Sequence, residues 1–256
     1  MPRSRKRHVQ QELHYGDPRG RRTQRSRRRN KSARGGRPPK GPRSSERHKT
    51  REVFRKGQPV HVVIRAITEI RSLRTRATYL AIRKALVVTF TREDFRIVHL
   101  SIQDTHIHLL VEADHREALA RGMKAFQISA AKHLNAAISA RRSERRRGSV
   151  FPDRYHAVVI RSPRQARSAL AYVLNNWRKH GEHRANLTRG WEVDLFSSGL
   201  TFDGWRDLQT VRILRPGYPL LPVWRPRTWL LGQGWRQHGL ISTTELPSER
   251  VLRPVE

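Results

Sequence analysis

Two histidines set two residues apart, and a tyrosine and an asparagine set four apart, are the side chains in this sequence best placed to do chemistry. His106 and His108 lie in the stretch 104–113, Asp-Thr-His-Ile-His-Leu-Leu-Val-Glu-Ala. If this is a strand, its side chains alternate, so His106 and His108 share one face while Ile107, Leu109 and Val111 share the other. Two neighbouring imidazoles can hold a divalent cation, or they can simply be packed and hydrogen-bonded, as buried histidines often are. Tyr172 and Asn176 lie in the stretch 168–176, Ser-Ala-Leu-Ala-Tyr-Val-Leu-Asn-Asn, and four-residue spacing stacks them on one face of a helix. Should that face cover the histidines, a hydroxyl nucleophile and an amide oxygen would meet a bound metal. A divalent ion beside a phosphodiester polarises its oxygens and offsets developing charge, which lets a tyrosine oxygen attack and form a phosphotyrosine link. The plainer alternative is an amphipathic helix whose Tyr172 hydroxyl reaches a polar neighbour.

The elements that must position these residues can be read around them. Residues 59–66, rich in β-branched side chains, predict a first strand. Residues 73–92 carry Leu73, Tyr79, Leu80, Ile82, Leu86 and Val87 at helical spacing. Residues 95–102 predict a second strand, joined to the histidine strand by a tight hairpin at 103–105. A long amphipathic helix follows over 115–142, with Leu119, Met123, Phe126, Ala130, Ala131, Leu134 and Ile138 as its buried stripe. Residues 155–160 predict a fourth strand, and Pro163 opens a helix that runs to Lys179 and stops near Gly181. The order β-α-β-β-α-β-α predicts an α+β, ferredoxin-like antiparallel sheet with an added C-terminal helix that bears Tyr172. The first and third strands are central in such a sheet, which puts the histidines in its middle.

Charge dominates the composition. The formal net charge is +33 and the pI about 11.8, which implies a polyanionic partner, nucleic acid first among them. No cysteine is present, so disulfides and thiolate metal sites are excluded, and any metal must use His, carboxylate, amide or water. No run approaches a membrane span and no apolar centre of a signal peptide is evident, so the expectation is a cytoplasmic, nucleoid-associated protein of a prokaryote. Residues 1–50 hold 18 Lys or Arg against three acids (Glu12, Asp17, Glu46) and almost nothing apolar, which predicts a disordered basic arm over 1–52. Within it, Arg34-Gly35-Gly36-Arg37-Pro38 resembles the core of an AT-hook, whose slim backbone and arginines suit the narrow minor groove of A·T-rich DNA, with Gly36 as an insertion. Arg145, Arg146 and Arg147 form a second basic loop, read as a phosphate contact.

Three segments carry a family resemblance. His106-Ile107-His108 followed by Leu109-Leu110-Val111, the stretch 148–156 (Gly-Ser-Val-Phe-Pro-Asp-Arg-Tyr-His), and Ala171-Tyr172-Val173-Leu174-Asn175-Asn176 occur in order. Together they make residues 58–205 similar to the single-tyrosine HUH transposases, and most to their REP-associated tyrosine transposase branch. The resemblance implies a metal-dependent enzyme that cleaves and rejoins single-stranded DNA, often at hairpins. It implies His106 and His108 as metal ligands, Tyr172 as nucleophile, Asn176 as third ligand or phosphate-orienting group, and Mg or Mn as the cation. Some relatives work as homodimers, so the tyrosine could act from either subunit. Asp104-Thr105 replaces the family's usual Pro-Asn before the first histidine, and Trp177 replaces the proline after the asparagine. A silent ferredoxin-like nucleic-acid-binding protein, or a nickase or replication initiator of the same chemistry, are the alternatives.

His61 and His99 read as core or surface residues. Glu112 and Asp114 are minor ligand candidates, Gln127 has no fixed orientation, and Arg154 with Tyr155 could hold a phosphate and stack a base. Residues 53–210 form the expected domain, with Trp191, Phe196, Phe202 and Trp205 anchoring its end. Residues 211–256, rich in Pro, Arg and Trp, read as a poorly ordered extension.

Overall fold

The computed structural model describes residues 53–140, 145–185, 190–208 and 218–246. Four strands form one antiparallel sheet: β1 (Val60–Arg65), β2 (Phe95–Ile102), β3 (His106–Ala113) and β4 (His156–Val159), in the order β2-β3-β1-β4. The two central strands are those expected, and the histidine strand is one of them. Helices α1 (Arg76–Leu86) and α2 (Arg116–Ser139) cover one face of the sheet, and α3 (Pro163–Lys179) covers the other. The α+β, ferredoxin-like reading therefore holds, with α3 as the added helix.

Strand alternation explains why the two faces differ. Val60, Val62 and Ile64 of β1, and Ile107, Leu109 and Val111 of β3, enter the core shared with α1 and α2. The residues between them, His61 on β1 and His106, His108 and Leu110 on β3, face α3. On β2 a bulge between Ile97 and His99 resets the alternation, so that Val98 joins the α3 side while Ile97 and Leu100 stay opposite. On the α2 side, backbone and ring approach closely: a Cβ placed on Gly122 would lie 2.2 Å from Phe95 Cγ. Gly122→Ala is expected to cost about 1–3 kcal/mol by overpacking, read as a lower denaturant midpoint at unchanged slope.

Helix α3 begins and ends on local signals. Ser162 Oγ accepts from Gln165 N at 3.3 Å, Pro163 occupies the first turn, Arg178 and Lys179 occupy the last, and Gly181 follows at φ 72°. The helix continues through Trp177 where a proline would have stopped it. Its apolar side is buried twice: Val173 and Leu170 belong to the same cluster as Val98 and Leu110, and so do Leu230, Leu231, Trp235 and Ile241.

Those last residues correct the expectation for 211–256. Residues 218–246 are packed on the domain and include a short helix α4 (Trp229–Gly232) and a 3-10 turn (Gly234–His238). The composition hides this because few residues do the anchoring: Trp235 is fully buried, and Asn175 Nδ2 donates to the carbonyls of Ser242 (2.8 Å) and Glu245 (3.0 Å). Trp224 N donates to Ile97 O at 2.9 Å and Ser197 bridges Ser101, so the open edge of β2 is covered. Trp191, Phe196, Phe202 and Trp205 pack as expected, and Arg74 makes a buried two-pronged contact with Asp194 at 2.8 and 3.0 Å. The basic arm of 1–52, with Arg34 and Arg37, lies outside the described residues.

Candidate active site between the sheet and helix α3

The sheet face under α3 carries a string of imidazoles. His106 Nε2 and His108 Nε2 are 3.0 Å apart, and His108 Nδ1 is 3.1 Å from His61 Nε2. His61 and His108 stack with ring centroids 5.3 Å apart and planes 21° from parallel. The register explains how a β1 residue arrives there: His108 pairs with Val63, so His61, two residues along, is its diagonal neighbour on the same face.

Tyr172 lies against this group. Its ring meets His108 edge-on at 5.2 Å and His61 at 5.8 Å, in the same chain. Asn176 is one turn on, and Lys179 and His180 continue the same helical face at seven and eight residues. Lys179 Nζ is 5.8 Å from the centre of the Tyr172 ring, and His180 meets His106 edge-on at 5.7 Å. The two stretches singled out from the sequence are therefore brought together. The contribution of His61 was missed, because only the pairing of β1 with β3 places it there.

Burial sets the charge state of these groups. Desolvation first, then the neighbouring His156 and His106, pulls the His61 pKa down to about 3. Desolvation and then the surrounding His106, His61 and His180 with Lys179 hold His108 well below the ordinary histidine value. Both rings are thus neutral at pH 7, the form that binds metal. Burial also raises the Tyr172 pKa, so its hydroxyl is a protonated phenol.

A family-implied divalent cation can be tested against these residues. Among the described residues, no three His, Cys, Asp and Glu side chains are arranged to hold a metal ion, so beyond the His106–His108 pair such an ion would need a ligand of another type, an amide or water. Asn176 is fully buried, and neither its amide oxygen nor its nitrogen has a hydrogen-bond partner. Such orphaned groups need a partner that the protein itself does not supply. Two ligand nitrogens about 2.1 Å from one ion at right angles stand about 3.0 Å apart, which is the His106–His108 separation. The donor set fits a divalent ion.

The remaining candidates divide. Glu112 is spent elsewhere: its carboxylate accepts from Arg227 N, Thr228 N and Thr228 Oγ1 at 2.8–3.1 Å and lies 4.0 Å from Arg96. Asp114 pairs with Lys56 at 3.1 Å. Gln127 lines a groove between α2 and residues 149–155, on the opposite side of the sheet from α3, together with Lys124, Phe151 and the exposed Arg154. Tyr155 is buried in the main core, which favours packing over base stacking. The Arg146 guanidinium is bonded to Asn135 Oδ1 and Ser149 O, tying its loop to α2, whereas Arg145 and Arg147 are exposed. His99 is buried against Ser198 Oγ at 3.1 Å and is a core residue, as expected.

The family described as "Transposase IS200 like" matches residues 55–176, which include every histidine of the site except His180, together with Tyr172 and Asn176. Among solved structures, a REP-associated tyrosine transposase bound to a REP hairpin is similar at 17% identity and a TM-score of 0.41, over 53% of this chain and 75% of that one. A candidate transposase from Deinococcus radiodurans R1 is similar at 12% identity and a TM-score of 0.34, over 57% and 97% respectively. No curated protein matches. Over residues 55–176, just under half of the chain, the sequence is thus similar to the IS200-like transposases.

Proposed function

We propose that this transposase cleaves and rejoins single-stranded DNA through a covalent 5′-phosphotyrosine on Tyr172. The observation that carries the reading is the contact of the Tyr172 ring with the His108 and His61 rings beside the His106 nitrogen. In the first step the Tyr172 oxygen bonds to phosphorus and loses its proton, while the bond from phosphorus to the upstream 3′ oxygen breaks and that oxygen is protonated. The second step reverses this with a different 3′ hydroxyl, which rejoins strands and restores the phenol. His106, His108 and Asn176 would hold a divalent ion, Mg or Mn, which supplies charge neutralisation at the phosphate. Lys179, on the same helical face as Tyr172, adds positive charge where the phosphate would lie. The contact forms within one chain, which supports use of the tyrosine in cis.

The substrate proposed is a single-stranded hairpin. A net charge of +33 favours a polyanion, exposed Arg145, Arg147 and Arg154 offer phosphate contacts, and Arg34 and Arg37 of the basic sequence arm are proposed as further DNA contacts. Among the described residues, no helix is long and apolar enough to cross a membrane.

The full chain, incubated with end-labelled single-stranded DNA containing a hairpin and with Mg²⁺ or Mn²⁺, should give a labelled species that survives denaturing electrophoresis. Chelation with EDTA should remove it. Tight binding with no such species across a panel of hairpins would replace this reading with that of a DNA-holding protein.

A further inference from the structure

His61 lies outside the histidine pair of β3 but completes its hydrogen-bonding. A neutral imidazole has one N–H and one lone pair, so each ring can face one neighbour as donor and one as acceptor. His108 faces His61 Nε2 through Nδ1 at 3.1 Å and His106 Nε2 through Nε2 at 3.0 Å. One proton must sit between His61 and His108. Placed on His61 Nε2, it forces the His108 proton onto Nε2, and that nitrogen can then take no cation. Placed on His108 Nδ1, it leaves the His108 Nε2 lone pair directed toward His106.

Histidines that bind metals generally donate their other N–H to an acceptor that fixes ring and tautomer. The acid on this face of β3 cannot serve, since Glu112 accepts from Arg227 and Thr228. His61 Nε2 stands in the acceptor's position, and stacking holds its ring parallel to that of His108. Its own proton then resides on Nδ1, a buried nitrogen with no hydrogen-bond partner.

We propose that His61 is a positioning residue: it accepts the Nδ1–H of His108 and so presents the His108 Nε2 lone pair, beside that of His106, to a divalent cation. This rests on the metal reading given under Proposed function and adds to it a residue outside the expected ligand set. The same ring supports the edge of Tyr172, so one side chain orients both a ligand and the phenol.

The test uses the full chain, with Mn²⁺ affinity measured by electron paramagnetic resonance and folding by circular dichroism. His61→Phe keeps an aromatic ring for stacking but removes the acceptor, and should weaken Mn²⁺ binding by about 10–100-fold. His61→Gln, whose amide oxygen can accept the same proton, should recover most of that loss. Nitrogen-15 NMR of the unaltered Mg²⁺-loaded chain gives a readout that needs no variant to fold, and should show His108 as the Nδ1–H tautomer. An Nε2–H tautomer there, native affinity in a folded His61→Phe, or equal loss in folded Phe and Gln variants would each overturn the assignment. Failure of the unaltered chain to bind Mn²⁺ or Mg²⁺ would overturn the metal reading itself, and this inference with it.

Discussion

Tyr172→Phe is expected to abolish the covalent protein–DNA species while leaving hairpin binding within about threefold of the unaltered chain. The substitution removes one oxygen and keeps the ring that packs edge-on against His61 and His108, so the local structure is preserved. Losing a single hydroxyl costs about 1 kcal/mol of stability or less, too little to unfold a domain with two apolar cores. The effect on chemistry is of another order, because a phenyl ring has no atom that can bond to phosphorus. Strand cleavage should fall on the order of 10³-fold or more, as for other nucleophile deletions. The checks are a denaturing gel for the adduct and a filter-binding titration for affinity. An adduct of equal yield in Tyr172→Phe would remove Tyr172 as nucleophile and return the helix to a packing role.

The second large effect is on acid stability. His61, His99 and His108 are buried and all have depressed pKa values, to about 3 for His61 and about 4 for His99, with desolvation the leading cause in each. In the unfolded chain these rings titrate near 6.5. Above that pH both states are neutral and the rings add no pH dependence. Below it the unfolded chain takes up protons that the folded chain refuses, so stability falls as the pH drops, and the loss levels off only near the folded values. The window therefore opens at pH 6.5 and extends to about 4 for His99 and about 3 for His61. His61 and His99 each contribute up to about 2 kcal/mol of loss by pH 5, together a large part of the stability of a typical domain, and His108 acts in the same direction. Denaturant midpoints measured in EDTA between pH 7.5 and 5 should fall steeply, and His99→Gln should reduce the slope. A flat profile across that range would mean that these rings are hydrated in solution.

Much of this protein was legible in its sequence because the relevant signals are local. The Val-Ile-rich stretch before Arg65 and the alternation around His106 and His108 mark strands whichever partners they find. Helix α3 carries its own start and stop in Ser162, Pro163 and Gly181, so the one-turn separation of Tyr172 and Asn176 was fixed before any tertiary contact.

Distant pairing decided the rest. His61 became part of the site because β1 lies beside β3 in one particular register, and no short-range pattern encodes that offset. Glu112 left the candidate ligands because a segment 115 residues later brings Arg227 and Thr228 to its carboxylate. Residues 218–246 belong to a stretch that reads in isolation as a poorly ordered extension rich in Pro, Arg and Trp, yet Leu230, Leu231 and Trp235 find an apolar side of α3 to cover. By itself the sequence determined which side chains could do chemistry and the elements that carry them. Only the tertiary structure decided that the Tyr172 ring meets the imidazoles of His61 and His108 on one sheet face, because that convergence depends on strand register and on which face α3 covers.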